Sequence, residues 1–121
     1  MPDMKSDVKS DFKQRIIQEL VPGRQITLAH IIANPDASLC ESLGIATSGA
    51  VGVLTITPPE TSIIIADIAI KSAGVKLVSV DRVSGSLIVN GTVSEVESAV
   101  SAILNYVGEK LGFEVCGLTK T

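Results

Sequence analysis

The sequence predicts an α+β fold, a β-α-β-β-α-β unit with both helices on one face of an antiparallel sheet. Three observations predict it. The stretch VKLVSVDRVSGSLIVNGTV, residues 75–93, holds two apolar runs, 75–80 and 87–89, around a Ser84-Gly85-Ser86 reversal. Val, Leu and Ile fit a pleated, half-buried surface, and Gly at the reversal supplies the positive φ of a tight turn. Helical signals flank this hairpin on both sides, and two further strand-like runs, 51–56 and 113–118, lie outside them. That order is the ferredoxin-like arrangement. A strand and a short helix before residue 50 are additions to it.

Residues 1–15 form a polar leader. Lys5, Lys9 and Lys13 recur every fourth residue, as do Met4, Val8, Phe12 and Ile16. The spacing allows one faintly amphipathic helical face, and a frayed terminus is the alternative. Residues 16–121 are expected to make one domain. A short strand-like run, 16–21, stops at Pro22-Gly23, a turn signal. Residues 24–32 alternate Gln25, Thr27 and Ala29 against Ile26, Leu28 and His30, which reads as a strand. Asp36 suits the cap of a short helix that runs to Leu43 and closes at Gly44. Thr57, Pro58 and Glu60 read as N-cap, first position and capping box of a helix through 63–72, apolar nearly all round. Ser94 and Glu97 read as a second capping box. Val96, Val100, Ile103, Val107 and Leu111 then mark one face of a long helix, with Gly112 just past its end.

Composition narrows the function. The chain has 121 residues, no Trp, one Tyr and two Phe, so the core must be packed from Val, Ile, Leu and Ala. The net charge is −3 with no basic cluster, which argues against binding a phosphate backbone. Cys40 and Cys116 stand far apart, outside any CxxC pair, and read as free thiols of a reducing cytosol. No apolar run of the secretory type is visible near the start. The most hydrophobic window, 63–70, carries Asp67 and falls short of the roughly 20 residues a bilayer needs.

No catalytic set emerges. His30 sits in an apolar strand and reads as structural. Cys40 has no His or Asp near it in sequence. Asp81-Arg82 reads as an ion pair at the hairpin base or a solvated edge. Asp67 reads as a polar stripe facing solvent or a neighbouring subunit. No P-loop, zinc spacing or nucleophile elbow is present. The expectation is a protein that is not an enzyme and holds no cofactor or metal.

The stretch AIKSAGVKLVSVDRVSGSLIVNGTVSEVESAV, residues 69–100, resembles the central segment of the BMC domain of bacterial microcompartment shell proteins. The stretch IIQELVPGRQITLAHIIANP, residues 16–35, is similar to the circularly permuted subfamily of ethanolamine-, propanediol- or choline-utilising compartments. The resemblance covers residues 16–121. It implies a homohexamer that tiles with other shell proteins around encapsulated enzymes, without nucleic acid or membrane. It implies a central pore rimmed by Ser84, Gly85 and Ser86, so that a bulky residue at 85 narrows the opening while the fold is kept. Lys71, Asn34, Pro35 and Asp36 map onto the hexamer edge, where the family usually has Arg-Pro and this chain has Asn34-Pro35. Ile16, Ile17, Gln18, Glu19 and Leu20 map onto a small barrel that caps the pore. The fourth sheet position is open between residues 24–32 and 113–118. Two other readings remain beside the shell: a ferredoxin-like regulatory domain binding a small metabolite between subunits, and a metal or iron–sulfur site at a symmetry axis.

Overall fold

The computed structural model describes residues 23–121. The readings of residues 1–15, and of Ile16, Ile17, Gln18, Glu19 and Leu20, lie outside the described residues. The elements are β1 (Gln25–Ile32), α1 (Ala37–Leu43), β2 (Ala50–Thr57), a 3-10 turn (Pro59–Thr61), α2 (Ser62–Ser72), β3 (Lys76–Asp81), β4 (Ser86–Gly91), α3 (Val93–Glu109) and β5 (Thr119–Lys120). The sheet order is β3-β4-β2-β1-β5. The four longer strands pair antiparallel, and β5 adds a parallel edge on β1.

The fourth position beside β2 belongs to β1, which pairs with it from Gln25–Thr57 to Ile32–Val51. Residues 113–118 do not form the expected strand; only Glu114 makes an isolated bridge, to Gln25. Their apolar groups face two ways. Phe113 and Cys116 lie half-buried against the core, while Val115 and Leu118 stay exposed. Arg24 fastens this segment, its guanidinium 5.1 Å from the Phe113 ring centre and donating to the Leu111 carbonyl at 3.0 Å.

The alternation read in β1 is interrupted. A β-bulge between Ile26 and Leu28 inserts one residue, so the core receives Ile26, Ala29 and Ile31. Leu28 and His30 are turned to the opposite face, as a one-residue slip requires.

Both long helices start elsewhere than read. Thr57 cannot cap α2, because it is still paired to Gln25 as the last residue of β2. The chain turns through the 3-10 segment first, and Thr61 at the N-cap makes no side-chain cap bond. The second capping box lies two residues earlier than read. Thr92 Oγ1 accepts from the Glu95 amide at 3.1 Å, and the Glu95 carboxylate accepts from the Thr92 amide at 2.9 Å. Gly91 ends β4, so the helix begins as soon as the ladder releases the chain.

Helices α2 and α3 pack side by side on one sheet face. Ile65, Ala66 and Ala69 of α2 and Val96, Ala99, Val100, Ile103 and Val107 of α3 close over Leu54, Ile56, Leu87 and Val89. Each large aliphatic side chain buried here contributes roughly 1.5–3 kcal/mol. A helix apolar nearly all round is expected to be deeply covered, yet Ile63, Ile64 and Ile70 of α2 are about half exposed.

Gly52 on β2 is the point of closest helix–sheet approach. A Cβ there would meet Val96 Cγ1 at 2.9 Å and Val89 Cγ2 at 3.0 Å. Gly52→Ala is therefore expected to destabilise the protein by about 1–3 kcal/mol through overpacking, read as a lower midpoint in chemical denaturation with circular dichroism unchanged at zero denaturant.

Candidate functional site

The hairpin tip is built by a carboxylate and a glycine. Asp81 ends β3, and its Oδ1 accepts from the Val83 amide at 2.9 Å and the Ser84 amide at 3.3 Å. These bonds, the Val83 amide foremost, hold its pKa below the usual carboxylate value. The Asp81–Arg82 ion pair therefore does not form; the carboxylate turns into its own loop.

Gly85 closes the turn at φ +81°. Its amide donates to the Asp81 carbonyl at 2.8 Å, and its carbonyl accepts from the Ile56 amide at 2.9 Å. Ser62 at the start of α2 donates to the Asp81 carbonyl at 3.3 Å. The tip is thus tied to β2 and to α2. Gly85 is buried, and a Cβ there would lie 2.1 Å from the Ile56 carbonyl oxygen. A bulky residue at 85 cannot keep the fold, because it would run into a backbone carbonyl and not into an opening. Ser84 is exposed, Ser86 half-buried, and their hydroxyls share a 2.9 Å hydrogen bond. The residues that project are Arg82, Val83 and Ser84, of which the sequence reading had only the last. The missed signal is position: they form the middle of the loop between the strand ends.

The expected edge residues are separate in character. Lys71 sits exposed in the last turn of α2, 2.9 Å from Asp67 four residues earlier. That hydrogen bond and the carboxylate's charge raise its pKa. Asp67 is thereby explained as the acidic half of a surface pair. Asn34 is exposed, Pro35 buried, and Asp36 caps α1 through the Ser38 amide at 3.1 Å. Gly44 closes α1 at φ +72°, as read.

Neither His30 nor Cys40 is placed for catalysis. His30 Nδ1 meets the Thr119 hydroxyl at 2.6 Å and Nε2 meets Thr121 at 2.9 Å, which clasps β5 onto β1. Cys40 is buried against the Pro35 carbonyl at 3.8 Å. A cleft of about 790 Å³ lies between the 43–49 linker and the start of α3, with Asn90 in its wall. Asn90 is itself committed to the Ala50 carbonyl at 2.9 Å. Among the described residues no group of His, Cys, Asp and Glu could hold a metal ion, and no helix is long and apolar enough to cross a membrane.

A two-helix layer on an antiparallel sheet, with a short polar hairpin tip at one end, is the architecture of a BMC domain, and residues 50–117 match that family. The chain belongs to the BMC-domain family. It is 47% identical over 109 residues to the bacterial microcompartment shell protein EutS of Salmonella typhimurium, covering 90% of this chain and 98% of that one. It is 50% identical over 107 residues to the shell protein CutR of Streptococcus intermedius, covering 88% and 92%. The solved CutR flat hexamer, form 2, superposes with a TM-score of 0.81 at 43% identity, covering 88% of this chain and 99% of that one. The family match begins at β2, so β1, which completes the sheet, precedes the matched segment in the chain.

Two outcomes follow from the tip. Gly85→Ala combines a positive φ with a backbone clash, and should cost more than about 2 kcal/mol in chemical denaturation. The Asp81 bonds depend on the ionised carboxylate. Because its folded pKa is depressed, their contribution is present above the ordinary value of 3.8 and is lost as pH falls through the lower folded value. Hydrogen exchange should show the Val83 and Ser84 amides at constant protection from neutral pH down to the ordinary value of 3.8, and progressively less protected below it.

Proposed function

We propose that this chain is a structural subunit of a bacterial microcompartment shell. It assembles as a homohexamer inside the cell, tiles with other shell proteins, and does not catalyse a reaction. One observation carries the reading: the likeness to shell proteins runs through nine-tenths of this chain and nearly the whole of EutS. The half-exposed Ile63, Ile64 and Ile70 of α2 and Leu77 and Val80 of β3 support it. Such a band is more apolar than a lone domain's surface ordinarily is, and a ring contact would cover it. In this reading residues 16–121 act as one domain, the hairpin tip faces a central pore for small metabolites, and Lys71 with Asn34, Pro35 and Asp36 lies at the outer edge. The regulatory-domain reading is not favoured, since the relatives over the full domain are shell proteins.

Electron microscopy and size exclusion of the purified protein test this directly: six-membered rings, alone or in sheets, are expected, and a stable monomer overturns the reading. Lys71→Ala tests the edge. Its exposed pair with Asp67 adds little to folding, so rings should survive while extended sheets are reduced. Unchanged sheets would remove Lys71 from the edge.

A further inference from the structure

The apex of the hairpin carries a residue with no packing role among the described residues. Strand β3 ends at Asp81 and β4 begins at Ser86, which leaves Val83 near the middle of the loop. Val83 is 82% exposed, the highest figure among the exposed large apolar side chains of the described residues. Its neighbours in the loop are otherwise occupied. Gly85 is buried beneath the tip, and the Ser84 and Ser86 hydroxyls bond each other. The Asp81 carboxylate is spent on the Val83 and Ser84 amides. Asp81 and Arg82 carry opposite charges, so the loop adds no net charge to a ring of copies. Val83 is also held firmly, because its own amide is one end of the Asp81 bond and Gly85 is pinned to Ile56.

We propose that Val83 is the specificity-determining residue of the pore, and that the permeant class it selects is small uncharged molecules. This rests on the reading that the hairpin tip faces the central pore. Copies of the isopropyl group around an axis make an apolar constriction. Hydrated ions lose water to enter such a ring and gain no polar partner there, whereas a compact neutral solute has little hydration to lose. A serine rim would offer hydroxyls to every solute alike and would not discriminate on this basis.

The experiment uses the full-length protein with Cys116→Ser, so that the only other thiol is the buried Cys40. Val83→Cys is introduced and mild oxidation or a short bis-maleimide applied. If Val83 rims the axis, covalent dimers form within one ring; if none form, the tip lies away from the axis and the pore reading itself fails. The second measurement keeps Val83 and introduces Ser84→Cys instead, and is the rate at which that exposed thiol reacts with a neutral methanethiosulfonate compared with its cationic and anionic analogues. Ser101→Cys, on the exposed face of α3, is the reference. The neutral-to-charged rate ratio should exceed that of the reference by about tenfold for both charge signs, as an apolar constriction requires. Cross-linking with equal ratios leaves the pore reading standing and overturns the apolar filter. Discrimination against one sign alone also overturns it, assigning selectivity to the charge of Arg82.

Discussion

β2 is hydrogen-bonded on both edges, to β1 and to β4, and the placement of every other element follows from that. A strand paired on both sides offers only its two faces for packing. One face is taken by the helices, and Gly52 lets the Val96 and Val100 side chains of α3 settle directly onto the backbone. Its C-terminal end then serves a second purpose. The Ile56 amide bonds the Gly85 carbonyl, so the same strand that anchors the core also fixes the height of the hairpin tip. The hairpin tip is an extension of the strand paired on both sides.

That coupling explains how a loop of small and polar residues holds one shape. The tip does not rely on apolar packing. It relies on amide hydrogen bonds, one from Ile56 and the others converging on Asp81, and on a glycine with no room for a side chain. Such bonds are directional, and leaving any of them unmade near a packed strand end is costly. The loop therefore presents its free side chains from a stiff support.

Much of this was legible in the sequence, for physical reasons that can be named. The hairpin was readable because two runs rich in Val, Leu and Ile and a glycine reversal report two independent requirements at the same place. Asp36 and Gly44 were readable because caps are local chemistry. The stripe of α3 was readable because Val96, Val100, Ile103 and Val107 repeat at the helical period. The failures share a cause, which is that the deciding contact is distant in sequence. Both Thr92 with Glu95 and Ser94 with Glu97 satisfy the capping-box pattern, and only the end of the β4 ladder chooses between them. Thr57 looks like a helix cap until Gln25 is seen to hold it in a strand. The bulge at Thr27, where its hydroxyl meets that of Thr55 at 2.7 Å, is invisible in a chain that appears to alternate cleanly. At the candidate site, Ser84, Gly85 and Ser86 were found as a turn, but the burial of Gly85 under Ile56 and Pro59 depends on residues much earlier in the chain.

The two-residue β5 is clasped onto β1 by His30 and tied to Glu97 through Lys120. It closes the one side of the sheet where another chain's backbone would find a ready ladder, and the opposite side, β3, carries a register shift between Leu77 and Ser79 that spoils its regularity. Among the described residues neither margin invites continuous strand-to-strand growth. What these residues offer to other copies is therefore side-chain surface of finite extent. Contacts of that kind stop when the geometry is satisfied and can be undone, and a layer built from them can be repaired piece by piece, where a cross-β seam would be permanent.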